Sequence, residues 1–243
     1  MATDPQTPAW PPYPIEPWPP DDTEESILGT DLHQAAITNL RLGINGAARL
    51  SRGPGEPVRW QALTQELLLG CRRTDGSYVR TYPDVFVYPE PVDPSRGSHV
   101  IEVDGPPVLI VEVLSEATCE ADLELVRGKG YSYARAGVRE YVALDPSGQY
   151  VPGRMRAWRL REGAYRAWEP AADGRYHSEQ LPLAFGVSGA MAEVYLADGR
   201  RMHLEDEVEE TIAHGSAEIE RRDWEIERRD AEIERLRRLL DDR

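Results

Sequence analysis

Pro107-Val108-Leu109-Ile110-Val111-Glu112-Val113-Leu114-Ser115 is the stretch that decides the fold. It is a nearly continuous apolar run, as in a strand covered on both faces. Such a strand has little reason to hold Glu112 unless something charged pairs with the carboxylate. Upstream, Tyr82-Pro83-Asp84 enters a second apolar run, Val85-Phe86-Val87-Tyr88, so this run too carries one acid. Downstream, a polar helical stretch holding Lys129 leads to Glu140-Tyr141-Val142-Ala143-Leu144-Asp145-Pro146, a third strand closed by proline.

Moving outward, Thr30 or Asp31 caps a helix running to about Leu50. Leu32, Ala36, Leu40, Ile44 and Ala47 form its apolar face, and His33 in the first turn is expected as a surface or cap residue. Gln65 to Gly70 is expected as a strand, Thr74 to Ser77 as a turn, and Val79 to Tyr88 as the strand carrying Asp84. Residues 89–104 are expected as a surface loop, with Glu102 and Asp104 as loop charges. Ser115 to Asp122, with Ser115 as the expected entry cap, leads into a helix that ends at Ala136 with Gly137 as its cap, and a start at Asp122 sets Lys129 about two turns in, roughly 10 Å along the axis. Tyr131 and Tyr133 are expected to pack with their hydroxyls at the rim. Met155 to Leu160 and Ala164 to Trp168, separated by Arg161-Glu162-Gly163, form a β-hairpin. Short extended pieces follow over 176–189, then a last strand over Met191 to Leu196. His99, His177, His203 and His214 show no ligand spacing and are expected to face solvent.

This order gives one α/β domain over about 28–203, a mixed sheet flanked by helices, with Asp84 and Glu112 on adjacent strands. Residues 1–27 are a Pro-rich arm, expected as extended chain, with Trp10 and Trp18 suited to docking it. Residues 204–243 are a charged helix in which Ile219, Ile226, Ile233 and Leu240 recur every seven residues. The second apolar position of each heptad is Arg222, Arg229 and then Leu236, so a weak dimeric coil and a lone solvated helix both fit. Glu218 with Arg222 and Glu225 with Arg229 support the helix itself.

The formal charge of -15 would argue against a nucleic-acid partner if it were evenly spread. It lies in the flanks: residues 1–40 hold seven acids and no Lys or Arg, and residues 204–243 hold fifteen acids and eight Arg. Residues 41–203 keep 21 acids and 20 bases, so the core does not repel a phosphate substrate. Two cysteines exclude a disulfide scaffold. No apolar run is long enough to span a bilayer, and there is no secretory signal pattern, so a cytoplasmic chain is expected.

Two carboxylates converging near strand ends make an oxygen-rich site for Mg²⁺ or Mn²⁺. Glu112 paired with an arginine, Arg80 or Arg127, is the competing structural account, and Asp84 bonded to a turn amide is another. Lys129, the only lysine in the chain, is the nearest ammonium in sequence.

The ordered blocks Tyr82-Pro83-Asp84, Val111-Glu112-Val113-Leu114-Ser115, Lys129, Tyr133-Ala134-Arg135-Ala136-Gly137-Val138-Arg139-Glu140-Tyr141 and Leu144-Asp145-Pro146 resemble the Uma-two family of restriction-type endonucleases, within the PD-(D/E)XK nuclease superfamily. The resemblance implies a restriction-endonuclease-like fold and Mg²⁺-dependent hydrolysis of DNA phosphodiesters. It implies that Asp84 and Glu112 bind the metal, with the Val113 carbonyl as a further ligand. The superfamily lysine sits two residues after the acid, where this chain has Leu114, so Lys129 is implied to stand in for it. A homodimer is also implied. The alternative is a nuclease-like protein that no longer cleaves and acts through interactions of its arm and tail.

Overall fold

The computed structural model describes residues 30–203, apart from 54, 74, 94 and 95, together with 207, 219, 221–226, 228 and 229. The Pro-rich arm, His214 and the heptad positions 233, 236 and 240 lie outside the described residues. The chain divides into two units, Met1–Met202 and His203–Arg243.

The first unit is a mixed α/β structure. Helix α1 spans Asp31–Leu50, capped by the Thr30 hydroxyl, which accepts from the His33 amide at 3.3 Å. Ala36, Ile37, Leu40, Ile44, Ala47 and Ala48 are buried along one face. That face continues back to His33, not to Leu32, which is 37% exposed.

The central sheet has six strands in the order β1 (Gln61–Leu63), β4 (Val85–Tyr88), β6 (Leu109–Val113), β7 (Glu140–Leu144), β8 (Met155–Arg161) and β9 (Ala164–Ala167). Only β6 and β7 run parallel; the other neighbours are antiparallel. A parallel pair needs a crossover, and helices α3 (Cys119–Leu123) and α4 (Lys129–Ala136) lie on it. The β8–β9 hairpin turns through Glu162 and Gly163, whose φ values of 51° and 79° suit a two-residue turn matching strand twist.

Two smaller sheets complete the unit: β3 (Tyr78–Thr81), β2 (Leu67–Arg72) and β5 (Ser98–Val100); and β10 (Tyr176–His177), β11 (Leu183–Ser188) and β12 (Met191–Leu196). Alternation along the strands sorts the core into two layers. Val85, Val87, Leu109, Val111, Val113, Val142 and Leu144 pack with α1 and the β11–β12 pair. Phe86, Tyr88, Ile110, Tyr141 and Ala143 pack with Tyr133 and Ala136 of α4.

Four expectations change. The strand expected over 79–88 is two strands in different sheets, because Pro83 removes a backbone donor and breaks the ladder. The strand expected over 65–70 is preceded by a separate strand, β1, which belongs to the central sheet, with Gln65 at φ 54° between them. The loop over 89–104 contains β5 and the short helix α2 (Ile101–Asp104). The one helix expected to follow Ser115–Asp122 and end at Ala136 is two helices interrupted at 124–128.

In the second unit, residues 221–226 are helical and Arg221 pairs with Glu225 at 2.8 Å, one turn on. Ile219, Trp224 and Ile226 are all more than half exposed in the single chain.

Candidate active site

The site lies where β4 begins and β6 ends. Val85 pairs with Val111, so one further step of the same antiparallel register sets Asp84 across from Glu112. Both side chains belong to the face that packs on α4, with exposures of 7% for Asp84 and 1% for Glu112. The two are bonded through the backbone. The Asp84 amide faces Glu112 Oε2 at 3.4 Å, and the Val113 amide donates to Asp84 Oδ2 at 2.7 Å. The turn-amide account of Asp84 therefore gives way to a strand-to-strand bond beside a second carboxylate.

Lys129 reaches this centre. Its Nζ lies 3.5 Å from Glu112 Oε1 and 3.1 Å from Asp122 Oδ1. Lys129 is the first residue of α4, not two turns into a longer helix, so no long reach is needed. The Tyr133 hydroxyl, one turn further along α4, donates a very short hydrogen bond to Glu112 Oε1. That hydroxyl is buried at the centre instead of standing at the rim. The charged partner of Glu112 is an ammonium, in place of the guanidinium of Arg80 or Arg127.

Three further residues of the site were missed or misjudged in the sequence. His33 is buried; its Nε2 lies 2.8 Å from the Val113 carbonyl and 3.5 Å from Asp84 Oδ2. The carbonyl only accepts, so Nε2 carries the proton. Burial lowers the His33 pKa, but the bond and charge of Asp84, with the Val113 carbonyl, outweigh it and leave the imidazole above 6.5. The available signal was spacing: 33, 36, 37, 40 and 44 follow one helical stripe.

Asp122 is fully buried on α3, with the Lys129 ammonium 3.1 Å from its Oδ1. Burial raises its pKa above 3.8, against the pull of Lys129. Tyr133, in the packed aromatic layer with Tyr141, is the third.

Ser115 does not cap α3 through its side chain. Its carbonyl accepts from the Thr118 and Cys119 amides, and its hydroxyl meets the Thr118 hydroxyl at 3.0 Å. His99, expected in solvent, is wholly buried between Phe86 and Tyr88, with Nε2 on Glu66 at 2.9 Å. Glu102 and Asp104 are held by Arg72 and Arg96 respectively.

Among the described residues no three His, Cys, Asp or Glu side chains converge in metal-ligating geometry. The donor types still suit a hard divalent ion: Asp84 and Glu112 are buried oxygen donors, and the Val113 carbonyl adjoins them. Three buried carboxylates face Lys129 and, when it is protonated, His33. That balance leaves negative charge which a cation would neutralise.

A mixed sheet with acids at the ends of two adjacent strands, a parallel crossover and flanking helices defines a restriction-endonuclease-like α/β protein. The family described as "Putative restriction endonuclease", Uma2, matches residues 28–192, and the chain belongs to this family. A crystal structure of a "putative nuclease belonging to DUF820" from Anabaena variabilis ATCC 29413 is similar at 16% identity, covering 60% of this chain and 72% of that one, with a TM-score of 0.39. No curated protein matches the chain. No helix among the described residues is long and apolar enough to cross a membrane.

Proposed function

We propose that the protein is a divalent-metal-dependent endonuclease that hydrolyses DNA phosphodiester bonds in the cytoplasm. The observation that carries this reading is the side-by-side placement of Asp84 and Glu112 on one face, with the Lys129 ammonium against Glu112. Asp84 and Glu112 would hold Mg²⁺ or Mn²⁺, and the Val113 carbonyl would join them once His33 Nε2 releases it. The ion, when bound, lowers the pKa of a bound water and neutralises charge on the phosphate. Lys129 places a positive charge where charge develops on the phosphoryl oxygens. The Tyr133 hydroxyl orients Glu112, and the surrounding aromatic layer keeps bulk water from its inner side.

Cleavage of plasmid DNA in Mg²⁺ or Mn²⁺ tests the reading. Asp84→Ala and Glu112→Ala are each expected to cut at least about a hundredfold more slowly, as loss of a metal-held transition state requires. Cutting at the parental rate by either variant would end it. A homodimer joined through the 204–243 helix belongs to the same proposal, supported by the exposed Ile219 and Ile226. Sedimentation of a chain ending at His203 is expected to give a monomer.

One observation favours the second reading, a nuclease-like interaction protein that has lost cleavage. The acceptors a metal would use are engaged by the chain itself: Glu112 Oε1 by Lys129 and Tyr133, and the Val113 carbonyl by His33. Titration with Mn²⁺ by calorimetry separates the two, since the second reading predicts no heat.

A further inference from the structure

We propose that Asp122 positions Lys129 at the carboxylate centre, holding from α3 an ammonium that the strand itself does not supply. Its relevance to cleavage rests on the nuclease reading above; the placement itself does not.

Lys129 Nζ is nearer to Asp122, at 3.1 Å, than to Glu112, at 3.5 Å. Asp122 is fully buried, and a carboxylate in that position costs free energy unless a cation answers it. Its backbone is fixed on both sides. The Asp122 amide donates to the Thr118 carbonyl at 2.9 Å, and its own carbonyl accepts from the Tyr141 hydroxyl at 2.5 Å. The carboxylate is thus anchored to β7, the strand beside the one that carries Glu112.

The local sequence brings the lysine to this anchor. A Cβ on Gly128 would overlap the Ala121 carbonyl oxygen, and one on Gly130 would come 2.6 Å from Leu125 Cδ2. Glycine at 128 is what lets the start of α4 close on α3 so tightly. Lysine is long, flexible and entropically costly to fix, so a single contact to Glu112 would hold it loosely. Two carboxylates on separate elements define its position.

The chain's single lysine makes the test direct, because trinitrobenzenesulfonate modification at residue 129 is read by peptide mass spectrometry in the full chain. Lys129 in the parent is expected to react slowly. Asp122→Asn is expected to speed modification about tenfold or more, and Glu112→Gln to speed it less, following the two distances. Asp122→Glu, which keeps the charge, is expected to restore protection to within about threefold of the parent. Equal rates in parent and Asp122→Asn, or a larger effect from Glu112→Gln, would overturn the proposal. So would an Asp122→Glu chain no better protected than Asp122→Ala, a comparison that still decides if Asp122→Asn does not fold.

Mn²⁺ calorimetry excludes the other role for this acid. Asp122→Asn is expected to keep its affinity within about threefold, whereas a loss of tenfold or more would make Asp122 a ligand and sink the positioning role. If the parent neither binds metal nor cuts DNA, the nuclease reading fails while the modification rates still decide the placement.

Discussion

Glu112 and Glu140 stand on neighbouring parallel strands, each 1% exposed, at opposite ends of the pair. Both interrupt apolar runs of the same kind. Glu140 sits across from Arg159, whose Nε lies 3.4 Å away, and it accepts from the Ser178 hydroxyl at 2.5 Å and the Glu179 amide at 2.7 Å. A guanidinium, a hydroxyl and an amide together account for one carboxylate. At the other end three carboxylates, with hydrogen bonds from the Tyr133 hydroxyl and the Asp84 and Val113 amides, share one lysine and one histidine. A buried acid wrapped on all sides joins elements of a fold, whereas buried acids gathered in excess of their cations make a place for chemistry. The arginine-paired structural glutamate weighed for residue 112 does exist in this molecule, at residue 140.

The comparison breaks most visibly if activity and stability do not separate. On the nuclease reading Glu112→Gln is expected to remove cleavage yet change unfolding free energy by only about 1 kcal/mol, because an amide oxygen still accepts from the Tyr133 hydroxyl and Lys129 keeps Asp122 as counter-charge. Glu140→Ala is expected to cost about 2 kcal/mol in urea unfolding, since it leaves the part-buried Ser178 hydroxyl and the Glu179 amide without their acceptor while Arg159 keeps Glu179. A Glu140→Ala chain as stable as the parent would remove the distinction. Between these extremes, His33→Ala leaves the Val113 carbonyl without its side-chain donor and is expected to cost about 1–2 kcal/mol. The same variant weakens Mn²⁺ binding only if Asp84 depends on the imidazole for its position.

A smaller effect sharpens the contrast through pH. Burial raises the Glu140 pKa above 4.5, opposed by Ser178, the Glu179 amide and Arg159. The folded state therefore holds this proton more tightly than the unfolded one, so stability falls as pH rises from 4.5 through the folded pKa. Melting curves of parent and Glu140→Gln are expected to diverge across that window, the parent losing ground as pH increases. The smallest effect is at Cys71, whose thiol burial pushes up to about 11. Its alkylation by iodoacetamide is expected to stay slow at neutral pH and to climb only as the pH approaches that value.

Much of the site was legible because acids in apolar strands are conspicuous. Asp84, Glu112 and Lys129 meet as their sequence contexts suggested. His33 was misjudged because the helical stripe was begun one residue early, at Leu32, which turns outward. Asp122 was overlooked because residues 115–136 contain no proline and read as a lead into one helix. The break depends on Gly128, and glycine within a helical pattern was the cue available. His99 escaped because its partner Glu66 is thirty-three positions away, just ahead of β2, and no local spacing announces it. Boundaries in the small sheet failed for a similar reason: β2 pairs in parallel with β5 across a long excursion that carries no periodic signal.

The antiparallel ladder of β4 and β6 does more than join two strands. Side chains in such a ladder change face at every residue. A slip by a single position would carry Glu112 to the α1 layer and leave Asp84 behind among Phe86 and Tyr88. Deleting one residue of β6 ahead of Glu112 should therefore abolish the centre while conserving every acid, because what is encoded there is a phase relation between two ribbons.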